Sequence, residues 1–275
     1  MADISASDVK KLRDITGAGM MDCKKALAET GGDFDKAIEA IRKKGQAVAN
    51  KRAEREASEG VVLAGVTEDS TRGAIIVLNS ETDFVAKNES FIELAKTILD
   101  KALEKDPADL GELRLLEIDG TRVSDKIMEQ VGIIGEKIEV SYYEKIEAAQ
   151  VVPYIHPGNK LATLAGLNKK VDLQIGRDVA MQVAAMSPVA VDKGDIPREV
   201  IDKEIEIGKE QARLEGKPEA ILEKIAMGKL NKFYQESTLL NQDFTKDSKK
   251  TVAQYLKEAD KDLTVTGFLR YALGR

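Results

Sequence analysis

Two stretches of this chain repeat one pattern: an apolar strand, a polar turn, a second apolar strand, then a stripe of apolar residues at helical spacing. In the first, residues 60–66 and Ala74-Ile75-Ile76-Val77-Leu78 read as strands, and Phe91, Leu94, Ala95, Ile98 and Leu99 form the stripe. The second starts near Ala148. Residues 151–155 and 161–167 are its strands, Pro157-Gly158-Asn159 its turn, and Val179, Val183 and Met186 its stripe. A two-stranded hairpin exposes an apolar face that it cannot cover alone, and a helix laid across that face covers it. The repeat therefore predicts an α+β core of two related subdomains, residues 58–147 and residues 148–196 with 237–275. Alternation over residues 133–143 predicts one more strand. A helix over residues 252–259 is expected to lead into a final strand, 263–272, that rejoins the core.

The flanking segments have helical periods only. Ser5 with Asp8 three residues on makes an acidic variant of a capping box before Val9, Leu12 and Ile15. Thr16-Gly17-Ala18-Gly19 breaks that helix, Met20 opens a second, and Gly31-Gly32 ends it. Asp33 can cap a third helix carrying Phe34, Ala37, Ile38 and Ile41, which Gly45 is read as closing. Residues 1–57 thus read as a three-helix bundle resembling a ubiquitin-associated domain, followed by a charged linker over 43–60. Residues 197–236 carry two narrow apolar stripes separated by Glu215-Gly216-Lys217-Pro218. They predict an antiparallel helical hairpin projecting from the core.

Composition narrows the chemistry. The chain has 275 residues with one histidine, His156, and one cysteine, Cys23, so an internal disulfide and a multi-Cys or multi-His zinc site cannot form. Basic and acidic residues number 42 and 48, a formal charge of −6, and the signs are interleaved, which disfavours nucleic-acid binding. No run approaches the roughly 18 apolar residues of a membrane span, and Met1 to Ser5 carry no signal-peptide pattern, so a cytoplasmic protein is expected. No Walker motif occurs, and Gly17-Ala18-Gly19 follows no strand, so a nucleotide site within this chain is not expected. No cofactor, metal or catalytic group is indicated.

Three places invite partner contact. Met20 and Met21 are adjacent and cannot both face one small core, so one is expected to point outward as an adaptable contact. Glu81-Thr82-Asp83-Phe84-Val85-Ala86-Lys87-Asn88 lies between a strand and a helix, where recognition residues concentrate. Phe84 there is either an anchor into its own core or an aromatic wedge beside Asp83. His156 sits at a hairpin tip, with no nucleophile indicated beside it.

Thr16-Gly17-Ala18-Gly19-Met20-Met21-Asp22-Cys23-Lys24-Lys25-Ala26-Leu27 and Glu81-Thr82-Asp83-Phe84-Val85-Ala86-Lys87-Asn88 resemble, in that order, the two signatures of the bacterial elongation factor Ts family. The resemblance extends over essentially the whole chain. It implies guanine-nucleotide exchange on elongation factor Tu, bound in its GDP and nucleotide-free forms, without an active site of the chain's own. It also implies residue roles. Arg13, Met20, Met21 and Lys24 would contact a helix of the GTPase domain. Asp83 and Phe84 would intrude near its switch region and Mg²⁺ site, within the signature residues Thr82, Val85, Ala86, Lys87 and Asn88. Ile134, Gly135 and His156 would meet a β-barrel domain. Residues 197–236 resemble the region linked to homodimerisation in longer members. The chain is expected to lack the additional C-terminal helical module of some members. Two other readings remain open: a scaffold whose three-helix unit binds a peptide or a ubiquitin-like protein, and a Cys-dependent hydrolase.

Overall fold

A computed structural model describes residues 4–274; Met1 to Asp3 and Arg275 lie outside the described residues. It is a mixed α/β structure of helices and small antiparallel sheets. The first three helices are α1 (Ala6–Thr16), α2 (Met20–Glu29) and α3 (Phe34–Arg52). Ser5 and Asp8 form the reciprocal capping box at α1, and Asp33 accepts from the Lys36 amide at 3.1 Å to start α3. Gly17, Gly31 and Gly32 take positive φ where α1 and α2 end, a region open to glycine at little cost. Leu12, Cys23, Leu27 and Ala37 close the small core between these helices.

Gly45 does not end α3. The helix continues to Arg52, and Gly45 lies buried in its interior. It faces Gly132 on α7 (Val123–Ile134). A Cβ placed on Gly45 would stand 3.4 Å from Gly132 Cα and 3.1 Å from the Met128 carbonyl oxygen. Two glycines permit this close crossing, and the segment read as an exposed linker instead packs Val48 and Ala49 on the central core.

Between α3 and α7 come β1 (Glu59–Val66), β2 (Arg72–Ser80), α4 (Asp83–Ala86), α5 (Glu89–Lys105), α6 (Leu110–Leu115), β3 (Glu117–Ile118) and β4 (Thr121–Arg122). After α7, β5 (Glu139–Glu147) joins an antiparallel sheet in the order β1-β2-β5. Val62 pairs with Val77, and Ile76 with Tyr143. Val61, Leu63, Ile76 and Leu78 face Phe91 and Ile98 of α5. Their alternates, Val62, Ala64, Ile75 and Val77, face Val151, Ala162 and Leu164 of a second sheet. Burial on both faces explains why β1 and β2 read as continuous apolar runs.

The predicted strand over 133–143 is corrected at its start. Ile133 and Ile134 finish α7, Gly135 caps it at φ 77°, and the strand begins only at Glu139. An apolar pair at a helix end followed by alternating residues mimics one long strand.

The remaining elements are β6 (Gln150–Ile155), β7 (Leu161–Leu167), α8 (Leu173–Met186), α9 (Arg198–Leu214), α10 (Glu219–Ser237), β8 (Asp243–Phe244), β9 (Asp247–Thr251), α11 (Val252–Ala259) and β10 (Val265–Ala272). The second sheet runs β10-β7-β6, so the last strand pairs with β7. Val179 and Val183 of α8 and Leu256 of α11 share its core; Met186, expected on the same stripe, is largely exposed. Helices α9 and α10 pack on one another, with Gly208 against Ala226. Among the described residues no helix is long and apolar enough to cross a membrane.

One buried charge organises the second half. Asp178 accepts from Gln174 and Lys246 at 2.6 Å each and from the Tyr255 hydroxyl at 2.9 Å. Burial pushes its carboxyl up, but Lys246, Gln174 and Tyr255 together outweigh burial and hold it below the ordinary carboxylate range. A depressed folded value means that this stabilisation is complete above the unfolded value near pH 4 and fades as the pH falls below it. Asp178→Ala is expected to cost on the order of 2 kcal/mol at pH 7. In melts recorded from pH 7 to pH 3, the gap from the parent protein is expected to narrow in acid. A gap that stays constant across that range would show that Asp178 contributes as a neutral group.

Candidate functional site

The turn after β2 is shaped by two helix caps in quick succession. The Thr82 hydroxyl accepts from the Val85 amide at 3.5 Å to open α4, and Asn88 accepts from the Ser90 amide at 3.0 Å to open α5. The segment read as a loop therefore contains a single helical turn. Ala86 is buried and Val85 packs on the central core, so these two anchor the turn. Phe84 points the other way and is 84% exposed. Of the two readings open for this ring, the anchor is excluded: the turn holds itself down through its neighbours. Leaving a phenylalanine in water forgoes about 1.5–3 kcal/mol of burial that folding could have gained.

The start of this turn is gripped from the end of α7. The Thr82 amide and hydroxyl donate to the two Glu136 carboxylate oxygens, at 3.0 and 2.7 Å. The Lys137 amide donates to Glu81 at 2.6 Å, and the Arg52 guanidinium reaches both Glu81 oxygens at 2.8 Å. Burial pushes the Glu81 carboxyl up, but the Lys137 amide and Arg52 prevail and hold it below the usual range. Ile134 and Gly135 thus sit directly before the two residues that fasten the Phe84 turn.

A second link runs to the hairpin between β6 and β7. Lys87 bonds Asp83 at 2.5 Å, and that hydrogen bond is the main reason the Asp83 carboxyl lies below its ordinary range, with Lys160 contributing. Lys160 in turn bonds Glu59 at 2.7 Å, and the Val62 amide of β1 donates to the Asn159 carbonyl at 2.7 Å. His156 opens that hairpin tip, exposed, with its amide donating to the Leu161 carbonyl at 2.9 Å. Its Nδ1 pairs with the Tyr154 hydroxyl at 2.9 Å, beside a groove of about 420 Å³ that Met181, Lys246 and Arg270 also line. The second half of the core therefore presents His156 on the same framework as Asp83 and Phe84.

At the other end of the chain, Arg13, Met20, Met21 and Lys24 are all exposed. The expectation that only one methionine faces out is corrected: Met20 is 57% and Met21 76% exposed. Cys23 takes the inward position of α2, its thiol donating to the Ala18 carbonyl at 3.6 Å, while both methionines of the first helical turn lie largely in solvent. Ile15, which shares the helical spacing of Val9 and Leu12, is also largely exposed. Sequence reasoning missed Ile15 and the supports Arg52, Glu136 and Lys137. Only the position of Glu136 and Lys137 directly after Ile134 and Gly135 could have flagged the latter two.

The chain matches the family model described as "Elongation factor TS" over residues 81–275. Three curated relatives of that name extend the match to the N-terminal helices. The Flavobacterium psychrophilum protein is 51% identical over 276 residues, covering 100% of both chains. The Amoebophilus asiaticus protein is 54% identical over 274 residues, covering 98% of this chain and 99% of its own. The Chlorobium phaeobacteroides protein is 45% identical over 287 residues, again covering 100% of both. Similarity of this depth along the whole length, including the segments that expose Met20, Met21 and Phe84, places the chain in the elongation factor Ts family.

Proposed function

We propose that this chain is a guanine-nucleotide exchange factor for elongation factor Tu, acting in the cytoplasm by binding alone. The observation that carries the reading is the exposed, rigidly framed Phe84 ring. A bound GDP is held by phosphate-loop amides, a lysine and Mg²⁺. A ring pressed against the switch region need not touch the nucleotide. It has only to favour a GTPase conformation in which those contacts are misaligned. Coupling is reciprocal, so a factor that weakens GDP binding is itself weakened by GDP, which lets it leave after reloading. Such a cycle uses no acid, base or metal of this chain.

In this reading Asp83 and Phe84 meet the switch region. Arg13, Met20, Met21 and Lys24 meet a helix of the GTPase domain, and Ile134, Gly135 and His156 meet its β-barrel domain. The N-terminal helices act as a unit like a ubiquitin-associated domain, set on a core divided near residue 148. The segment 197–236 serves as a hairpin available for homodimerisation. Exposed Val200, Ile207 and Leu214, spaced seven apart on α9, support that last assignment.

The test is release of a fluorescent GDP from elongation factor Tu in excess unlabelled GDP. The chain is expected to accelerate release strongly; an unchanged rate would refute the proposal. A second expectation concerns α2. Met21→Asp is expected to weaken Tu affinity about tenfold, near 1.4 kcal/mol, by calorimetric titration. Its melting temperature should stay in place, because most of the side chain is exposed. A lowered melting temperature with unchanged affinity would return Met21 to a structural role.

A further inference from the structure

Six consecutive residues at the end of α7 touch three parts of the molecule. Gly132 meets α3 so closely that a Cβ on it would stand 2.6 Å from Gly45 Cα. Ile133 packs into the N-terminal helical core, its Cδ1 3.2 Å from where a Cβ on Gly17 would lie, three residues before Met20. Ile134 packs on the central core, and Gly135 turns the chain at φ 77°. Glu136 then takes both Thr82 bonds, and the Lys137 amide takes Glu81.

We propose that Glu136 is a positioning residue for exchange: it fixes the angle at which the α4 turn presents Phe84, in register with the Met20–Met21 face. The inference rests on the exchange reading above. Helix α4 has four residues, too few to hold its own direction. Val85 and Ala86 hold it down, and its ends set its orientation. Asn88 joins it to α5 at one end, and Thr82 holds the other. With a single hydrogen bond at Thr82, this end would be able to swing about the Val85 and Ala86 anchors. Two bonds to one side chain remove that freedom. The same six residues reach the N-terminal helices, so the Phe84 ring and the methionines are held by one piece of backbone.

The test uses the full chain with Glu136→Ala, Glu136→Gln and Glu136→Asp, each alone and combined with Phe84→Ala. GDP release from the GTPase is followed across a range of factor concentrations. Misplacing a reacting contact by about 1 Å can cost up to about a hundredfold, and a loosened turn is expected to cost on the order of tenfold. That loss should appear in the maximal rate of Glu136→Ala, with the half-saturating concentration little changed. Glu136→Gln, which keeps the reach and a partner for each Thr82 group, should recover most of it. Glu136→Asp, shorter by about 1.5 Å, should not. With Phe84 already removed, Glu136→Ala should cost nothing more. A merely structural role would lower the rate equally with and without the ring. That result, or a full maximal rate in Glu136→Ala, overturns the proposal; if Glu136→Ala does not fold, Glu136→Asp carries the same cycle. Failure of the parent chain to accelerate release would instead refute the exchange reading itself.

Discussion

Phe84→Ala is expected to slow the stimulated release of GDP by about 10–100-fold while leaving the melting temperature where it was. Two facts set the two halves of that outcome. The ring is 84% exposed, so removing it leaves no cavity and strips no contact from the core. The turn keeps its apolar anchors, Val85 and Ala86, and its caps, Thr82 and Asn88. The loss of rate reflects the usual weight of a central aromatic side chain in an interface, where truncation costs about 2 kcal/mol or more. Stopped-flow release and a thermal melt on the same sample read both halves. A stable variant that exchanges at the parent rate would remove Phe84 from the mechanism.

Gly132→Leu is expected to be the most damaging change outside the exposed surface. The atom that a Cβ at 132 meets first is the Gly45 Cα, at 2.6 Å, and backbone cannot rotate out of the way as a side-chain tip can. Helices α3 and α7 must then separate, which carries the usual overpacking cost of about 1–3 kcal/mol or somewhat more. Separation also draws Ile133 from Gly17, so the N-terminal face loses its fixed relation to Phe84. Exchange should therefore fall although Met20, Met21 and Phe84 are untouched. Gly228→Ala in α10 is the control, because a Cβ there meets nothing within 4 Å. It should be neutral or stabilising by up to about 1 kcal/mol. Equal melting temperatures for Gly132→Leu and the parent would show that the close crossing is not maintained in solution.

Local signals in the sequence are sufficient where local physics decides the outcome. The Ser5–Asp8 box, the Asp33 cap and the strand-turn-strand runs before α5 and α8 depend on neighbours a few residues apart. Local signals mislead where they have a distant cause. Gly45 looked like a helix stop because glycine usually ends helices. Its reason for being there is Gly132, 87 positions away, an arrangement no periodicity reveals. Ile133 and Ile134 looked like the start of a strand because the left-handed turn at Gly135 cannot be distinguished in sequence from an ordinary strand glycine. The exposed positions of the site were legible as a choice rather than an answer. Phe84 could anchor or protrude, and Val85 with Ala86 settled it by taking the anchoring places. The supports were not legible, since Arg52 meets Glu81 across 29 residues of chain and Glu136 meets Thr82 across 54.

In the proposed exchange, the Phe84 ring enters the GTPase and GDP opposes its entry. A photo-crosslinking phenylalanine analogue placed at position 84 tests this directly. The substituted chain is mixed with nucleotide-free elongation factor Tu and irradiated with and without excess GDP. An intermolecular crosslink is expected to form in the nucleotide-free complex and to be suppressed by GDP. Absence of any crosslink in a complex that still assembles, or a crosslink yield that GDP leaves unchanged, would contradict it.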